Sequence, residues 1–105
     1  MTSHLIVRPE AEADMAEAYG WYEARSSGLG EEFLDAVAEA LIAVEEAPER
    51  FPAVHREGEI EVRRARLRRF PFGLFFVQKA GEARRVTVVA CLHARRDPQH
   101  WARRL

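Results

Sequence analysis

The spacing of apolar residues changes at Pro48, from the three-to-four-residue step of helices to the alternation and short continuous runs of strands. That switch confines the chain to a helical part followed by a mainly β part. In the first part, Ala11, Met15, Ala18 and Tyr22 recur at steps of four, three and four, which predicts a helix over Pro9–Arg25 with one buried stripe. Pro9 suits its first turn, and Glu10, Glu12 and Asp14 favour the positive end of its dipole. Glu10, Glu17 and Glu23 are expected on its solvent side. His4–Val7 reads as a short strand before it. The breaker Ser26-Ser27-Gly28-Leu29-Gly30 ends this helix and starts a second, which carries Phe33, Val37, Ala40, Leu41 and Val44 at helical spacing until Pro48. So short a link predicts an antiparallel helical hairpin.

Beyond Pro48, residues 51–58 read as a loop, and strand-like sequence comes after it. Ile60 and Val62 share one parity, whereas Ala65 and Leu67 share the other, so the Arg63-Arg64 doublet sits at a change of phase. Either a bulge lies there or one Arg points at the inner face. Residues 70–77 and 86–92 are apolar on both parities, as in strands covered on both sides, and the Gly81 segment between them predicts a β-hairpin. The expected fold is α+β: an N-terminal short strand and helical hairpin packed on a small, mainly antiparallel sheet, in the order β-α-α-β-β-β. Common parity places Phe70, Phe72, Leu74 and Phe76 against Met15, Phe33, Val37 and Leu41.

The 105 residues are expected to form one domain, residues 1–105, with a core that needs no staple. No run is apolar and long enough to span a bilayer, and no membrane partner is expected. The single cysteine, Cys91, forbids an internal disulfide, agrees with a reducing cytoplasm, and lies in an apolar run that suits an inert buried thiol. His4, His55, His93 and His100 show no metal-ligand spacing, so neither a metal nor another cofactor is expected. Phosphate-cradling glycine loops and serine-nucleophile elbows are absent from the sequence.

Charge is divided along the chain. Fifteen of the 17 acidic residues precede Arg63, and 12 of the 16 basic residues lie at or after it, although the formal net charge is −1. Eleven of those 12 are Arg, whose planar fork suits two-point contacts with phosphate or carboxylate. Arg63, Arg64, Arg66, Arg68 and Arg69 are five cations in seven residues. On a strand, Arg64, Arg66 and Arg68 would share one face and Arg63 and Arg69 the other, enough to meet a polyanion or a row of carboxylates, or simply to protect an edge from aggregation. The basic half could equally neutralise the chain's own acidic helices. A second group, His93, Arg95 and Arg96, comes just after the last strand, where His could serve as a base and Arg as a charge stabiliser, or His could merely cap the strand. The aromatic residues suit a core, although Trp21, beside the Tyr22 stripe, could border a hydrophobic groove.

Trp21-Tyr22-Glu23, Gly28-Leu29-Gly30-Glu31-Glu32-Phe33, the Arg63-Arg64 doublet, Arg69-Phe70-Pro71-Phe72, and His93 through Arg95-Arg96-Asp97-Pro98 to Trp101 and Arg104 together resemble the RelE/ParE superfamily of bacterial type II toxins, more the ParE or plasmid-stabilisation branch than RelE. The resemblance implies a small growth-inhibiting toxin held inactive by a co-encoded antitoxin in a hetero-oligomer, the antitoxin wrapping it through a helix and an added strand. RelE-type members cut messenger RNA in the ribosome with Lys, Arg and a terminal Tyr or His, whereas ParE-type members are associated with inhibition of DNA gyrase. Here Lys79 is the sole Lys, and Trp101 and Leu105 stand where a catalytic Tyr belongs. The resemblance therefore implies a gyrase inhibitor first. Two alternatives stand beside it: a messenger RNA endoribonuclease, with His93, Arg96 and Arg64 as candidate catalytic residues, and an inactive partner of an antitoxin. Arg63, Arg64, Arg66, Arg68, Arg69, Arg95, Arg96 and Trp21 are the candidate partner- or target-binding residues.

Overall fold

The computed structural model describes residues 4–79, 81–82, 84–96 and 102–105. Strand β1 (His4–Val7) leads through Arg8 into helix α1 (Pro9–Arg25), whose Pro sits in the first turn. Helix α2 (Leu29–Glu46) starts after three residues and is succeeded by a single 3-10 turn, Pro48–Arg50. Strands β2 (Ala53–Glu57), β3 (Ile60–Arg66), β4 (Phe72–Lys79) and β5 (Arg85–His93) follow. They form one sheet in the order β1-β5-β4-β3-β2, antiparallel throughout except for the parallel β1–β5 pair at one edge.

The expected order gains one strand, because the segment read as a loop contains β2. All five of its residues are exposed, so no apolar alternation marks it, and only its hydrogen bonds to β3 make it a strand. The short αα-turn has a local cause. Gly28 adopts a left-handed backbone, with φ of 91°. Glu23 does not face water but turns back as an acceptor for the backbone N–H groups of Gly28, at 3.0 Å to one oxygen, and Gly30, at 2.9 Å to the other. These are donors that a helix start leaves without intrahelical partners. At Gly30 a Cβ would lie 2.8 Å from Tyr19 ring carbons and 2.9 Å from the Glu23 carboxylate, so the Glu23…Gly28-Leu29-Gly30 spacing is a capping device.

The sheet has two unequal faces. On the helical side, Phe33 and Val37 of α2 and Ala11, Ala18 and Tyr22 of α1 close over Leu74, Phe76, Val86, Val88 and Cys91. Tyr22, Phe33, Phe70 and Phe72 pack with ring centroids 5.0 to 6.0 Å apart, mostly edge to face. The predicted facing sets are present, with Met15, Leu41 and Phe72 at the margin rather than fully buried. On the opposite side Val62, Val89, Ala90 and Leu92 form a smaller cluster, against which Phe75, Val77, Ala102 and Leu105 pack. Two covered faces explain the doubled apolar parity of β4 and β5. The phase of β5 also changes within the strand, since Phe75 pairs with Ala90 and Phe76 with Val88, leaving Val89 as a bulge.

Of the two readings of the Arg63-Arg64 doublet, the inward-pointing Arg holds and the bulge does not lie in β3. Strand β3 runs in unbroken register with β4, so Arg63 has the inner parity of Ala65 and Arg64 the outer parity of Val62. The irregularity lies in β2, between Ala53 and His55, which pair with Arg63 and Val62. None of the described helices is long and apolar enough to cross a membrane.

Candidate functional site

The five-Arg cluster does not stay together. Strand β3 ends at Arg66, and Leu67 begins a tight connection in which Arg69 takes a φ of 70° and Phe70 enters the core. That turn swings Arg68 and Arg69 toward α2, where Arg68 meets Glu39 at 3.3 Å and Arg69 meets Glu32 at 2.8 Å. Both pairs are water-exposed, so they fix orientation more than they stabilise. Arg63 is also committed within the fold. Its guanidinium donates to the Phe51 carbonyl and pairs with Glu61 at 2.6 Å, tying the segment after α2 to the sheet. Glu61 also accepts from Arg56, and that hydrogen bond, helped by Arg63, holds its carboxyl below the usual carboxylate range.

Arg64 and Arg66 differ from these. Among the described residues neither meets a carboxylate, and the Arg64 Nε, like that of Arg63, is buried without a hydrogen-bond partner. Their common parity directs them to the face away from the helices. There a groove of 510 Å³ is lined by Arg64, Arg66, Phe75, Leu92, His93 and Arg96 among others. Gly73 makes room for it: a Cβ at that position would lie 3.2 Å from the Arg64 Cγ, so the glycine lets the Arg stem lie across β4. Strand pairing therefore gathers four separately predicted residues, two from each end of a three-strand span, into one cationic depression.

His93 ends β5, with its ring edge-on to Phe72 at 5.3 Å between centroids. Its Nδ1 accepts the backbone N–H of Arg95 at 3.0 Å. In the neutral ring that bond places the proton on Nε2, so the outer nitrogen is a donor rather than a base. Arg95 is exposed, and Arg96 lies 3.5 Å from Glu17 of α1. Lys79, at the far end of β4, pairs across to Ile60 and lies outside the groove.

A second groove, of 460 Å³, adjoins the first and runs between α1 and the end of β5. Trp21, 53% exposed, stands over it, edge-on to Tyr22 at 5.0 Å, with the Arg25 guanidinium carbon 3.9 Å from its ring centroid. The Cys91 thiol lies deep beneath this groove. Burial, with a smaller contribution from the Asp14 charge, pushes it up to about 12, which leaves no thiolate for nucleophilic chemistry near neutrality.

One partly buried pairing was not foreseen from the sequence. Arg104 grips Asp14 with two nitrogens, at 2.6 and 3.2 Å, and donates to the Val89 carbonyl at 3.0 Å, while Asp14 also accepts the Cys91 N–H at 3.0 Å. Strand β1 pairs only as far as Val88, and these two side chains satisfy the β5 edge beyond it. Asp14 in turn raises the already high pKa of Arg104. Of the remaining sequence-based assignments, Trp101, Asp97 and Pro98 lie outside the described residues. Among the described residues no three His, Cys, Asp or Glu side chains converge as a metal site would require.

Residues 5–98 match a family model described as "ParE toxin of type II toxin-antitoxin system, parDE". Among solved structures the fold is similar to a chain of the "Chromosomal ParDE TA system from P. aeruginosa", with a TM-score of 0.68, 18% identity, and coverage of 88% of this chain and 96% of that one. No curated protein matches the sequence.

Proposed function

Because the chain belongs to the ParE toxins of type II toxin-antitoxin systems, we propose that it arrests growth in the cytoplasm by binding DNA gyrase rather than by cutting messenger RNA, and that a co-encoded antitoxin neutralises it by occupying the same cationic groove. The observation that carries the binding reading is the groove of Arg64, Arg66, His93 and Arg96, which among the described residues is rich in cations and poor in proton-transfer groups. Cleavage of a phosphodiester by an adjacent hydroxyl needs a base, an acid for the leaving oxygen and a cationic stabiliser. The Arg residues supply the stabiliser. His93, with Nδ1 occupied by a backbone N–H, presents only a donor in its neutral form, and among the described residues no second proton-transfer side chain lines this groove.

The endoribonuclease reading rests on the same convergence, since one imidazole and three guanidinium groups in a single depression also suit RNA. Its separate requirement is that His93 be indispensable. A positioned proton-transfer group typically contributes about 10²- to 10⁴-fold in rate. The test is to induce the chain without antitoxin, as wild type and as His93→Gln, and to follow growth, transcript integrity and gyrase supercoiling activity in extracts. Binding predicts intact transcripts, inhibited supercoiling and most of the toxicity retained in His93→Gln. Ribosome-dependent transcript cleavage that disappears in His93→Gln would replace this reading with the nuclease.

A further inference from the structure

The two grooves share Pro71, Phe72, Leu92, His93 and Arg96, and so form one trough that passes from Trp21 on α1, over the ends of β4 and β5, to Arg64 and Arg66 on the opposite face of the sheet. Its two ends differ in chemistry. At the α1 end the lining includes Tyr22 and Phe72, the exposed Trp21, and the exposed carboxylate of Glu17, while Asp14 is held by Arg104. The β3 end holds two guanidinium groups that no carboxylate of the described chain satisfies.

We propose that this trough docks a single protein segment of fixed polarity, with an apolar anchor seated beside Trp21 and carboxylates laid on Arg64 and Arg66, and that Glu17 holds Arg96 at the middle as a placeholder which the segment's own carboxylate displaces. A nucleic-acid strand fits less well, because it carries a phosphate at every step and would bring charge against the exposed Glu17. A peptide can change from apolar to acidic along its length. The placeholder role rests on geometry: Arg96 lines both grooves, and its contact with Glu17 is 3.5 Å long and largely exposed, so a closer carboxylate exchanges for it readily. Removing the placeholder carboxylate frees Arg96 for the incoming segment. This deepens the proposed function, since it rests on the chain having a protein partner.

The experiment uses the full chain with the product of the adjacent gene, measuring Kd at low and physiological salt. Trp21→Ala should weaken binding about tenfold or more at both salts, as loss of an aromatic anchor does. Arg64→Ala with Arg66→Ala should weaken it by a similar factor at low salt and by less at physiological salt, because exposed charge contacts are screened. Glu17→Gln should tighten binding a few-fold, and Arg96→Ala should abolish that gain. Circular dichroism melts of each variant separate lost contacts from lost folding. A complex whose Kd is unchanged by both the Trp21 and the Arg64/Arg66 variants would overturn the trough while leaving the antitoxin reading intact. A single-stranded oligonucleotide that binds through Arg64 and Arg66 while the protein partner ignores them would overturn it as well. No complex at all with the adjacent gene's product would remove the antitoxin reading, and the trough with it.

Discussion

The two faces of the sheet receive cations from the same stretch of sequence and use them in opposite ways. On the helical side, Arg68 and Arg69 are turned onto Glu39 and Glu32 of α2, so the charge of the basic half answers the charge of the acidic half. On the other side, Arg64 and Arg66 meet no carboxylate of their own chain among the described residues. Parity and one tight turn decide which fate a residue has: the strand stops at Arg66, and a positive φ at Arg69 sends the chain into the core at Phe70. A charge run is therefore not one functional unit. Part of it is paired within the chain, and part meets no carboxylate among the described residues.

The contrast extends to packing, and the largest expected effect tests that. Phe33, at 0% exposure, contacts the rings of Tyr22, Phe70 and Phe72 at the centre of the helix-side core. Phe33→Ala should cost about 3 to 5 kcal/mol in chemical denaturation, a large share of what a small domain possesses. A cost below about 0.5 kcal/mol, usual for surface positions, would mean that this face is not the main core. Asp14→Ala should come next, at about 1.5 to 3 kcal/mol, since it deprives Arg104 and the Cys91 N–H of a largely buried charged partner. Limited proteolysis should then cut first near Arg103 and Arg104, and protection equal to wild type would show that Asp14 does not anchor the chain end.

A smaller effect concerns the thiol beneath the α1 groove. Folding raises Cys91 from 9.0 to about 12, so its contribution is complete below pH 9 and is lost as pH rises toward 12. In that window the unfolded chain gives up the thiol proton while the folded chain keeps it. The stability gap between wild type and Cys91→Ala should narrow by roughly 1 kcal/mol between pH 8 and pH 10. A constant gap would place the thiol in contact with water.

The elements that carry one clear period were legible in the sequence. Pro9–Arg25 and the helix after it are marked by single apolar stripes, whereas residues 70–77 were legible as a strand only through an apolar run on both parities. Strand β2 was not legible, because a strand with no buried side chain has no alternation to show. The capping role of Glu23 was hidden by its position on the polar side of α1, and only the fold of the turn brings its carboxylate to Gly28 and Gly30. In the candidate site, residue types could be named, but their grouping could not. The meeting of Arg64 and Arg66 with His93 and Arg96 depends on β4 lying between β3 and β5, and the Asp14–Arg104 clasp joins residues at opposite ends of the chain.

The most direct test of the division between the two faces removes two positive charges from each in turn. Arg64→Ala with Arg66→Ala and Arg68→Ala with Arg69→Ala change net charge equally, so steering by overall charge alone would affect them alike. Affinity for the protein encoded by the adjacent gene, measured at low salt beside a melting curve for each, should fall about tenfold or more for the first pair and little for the second, with both still folded. Equal losses from the two pairs, or a larger loss from Arg68 and Arg69, would contradict the assignment of the open face to partner binding and the helical face to internal neutralisation.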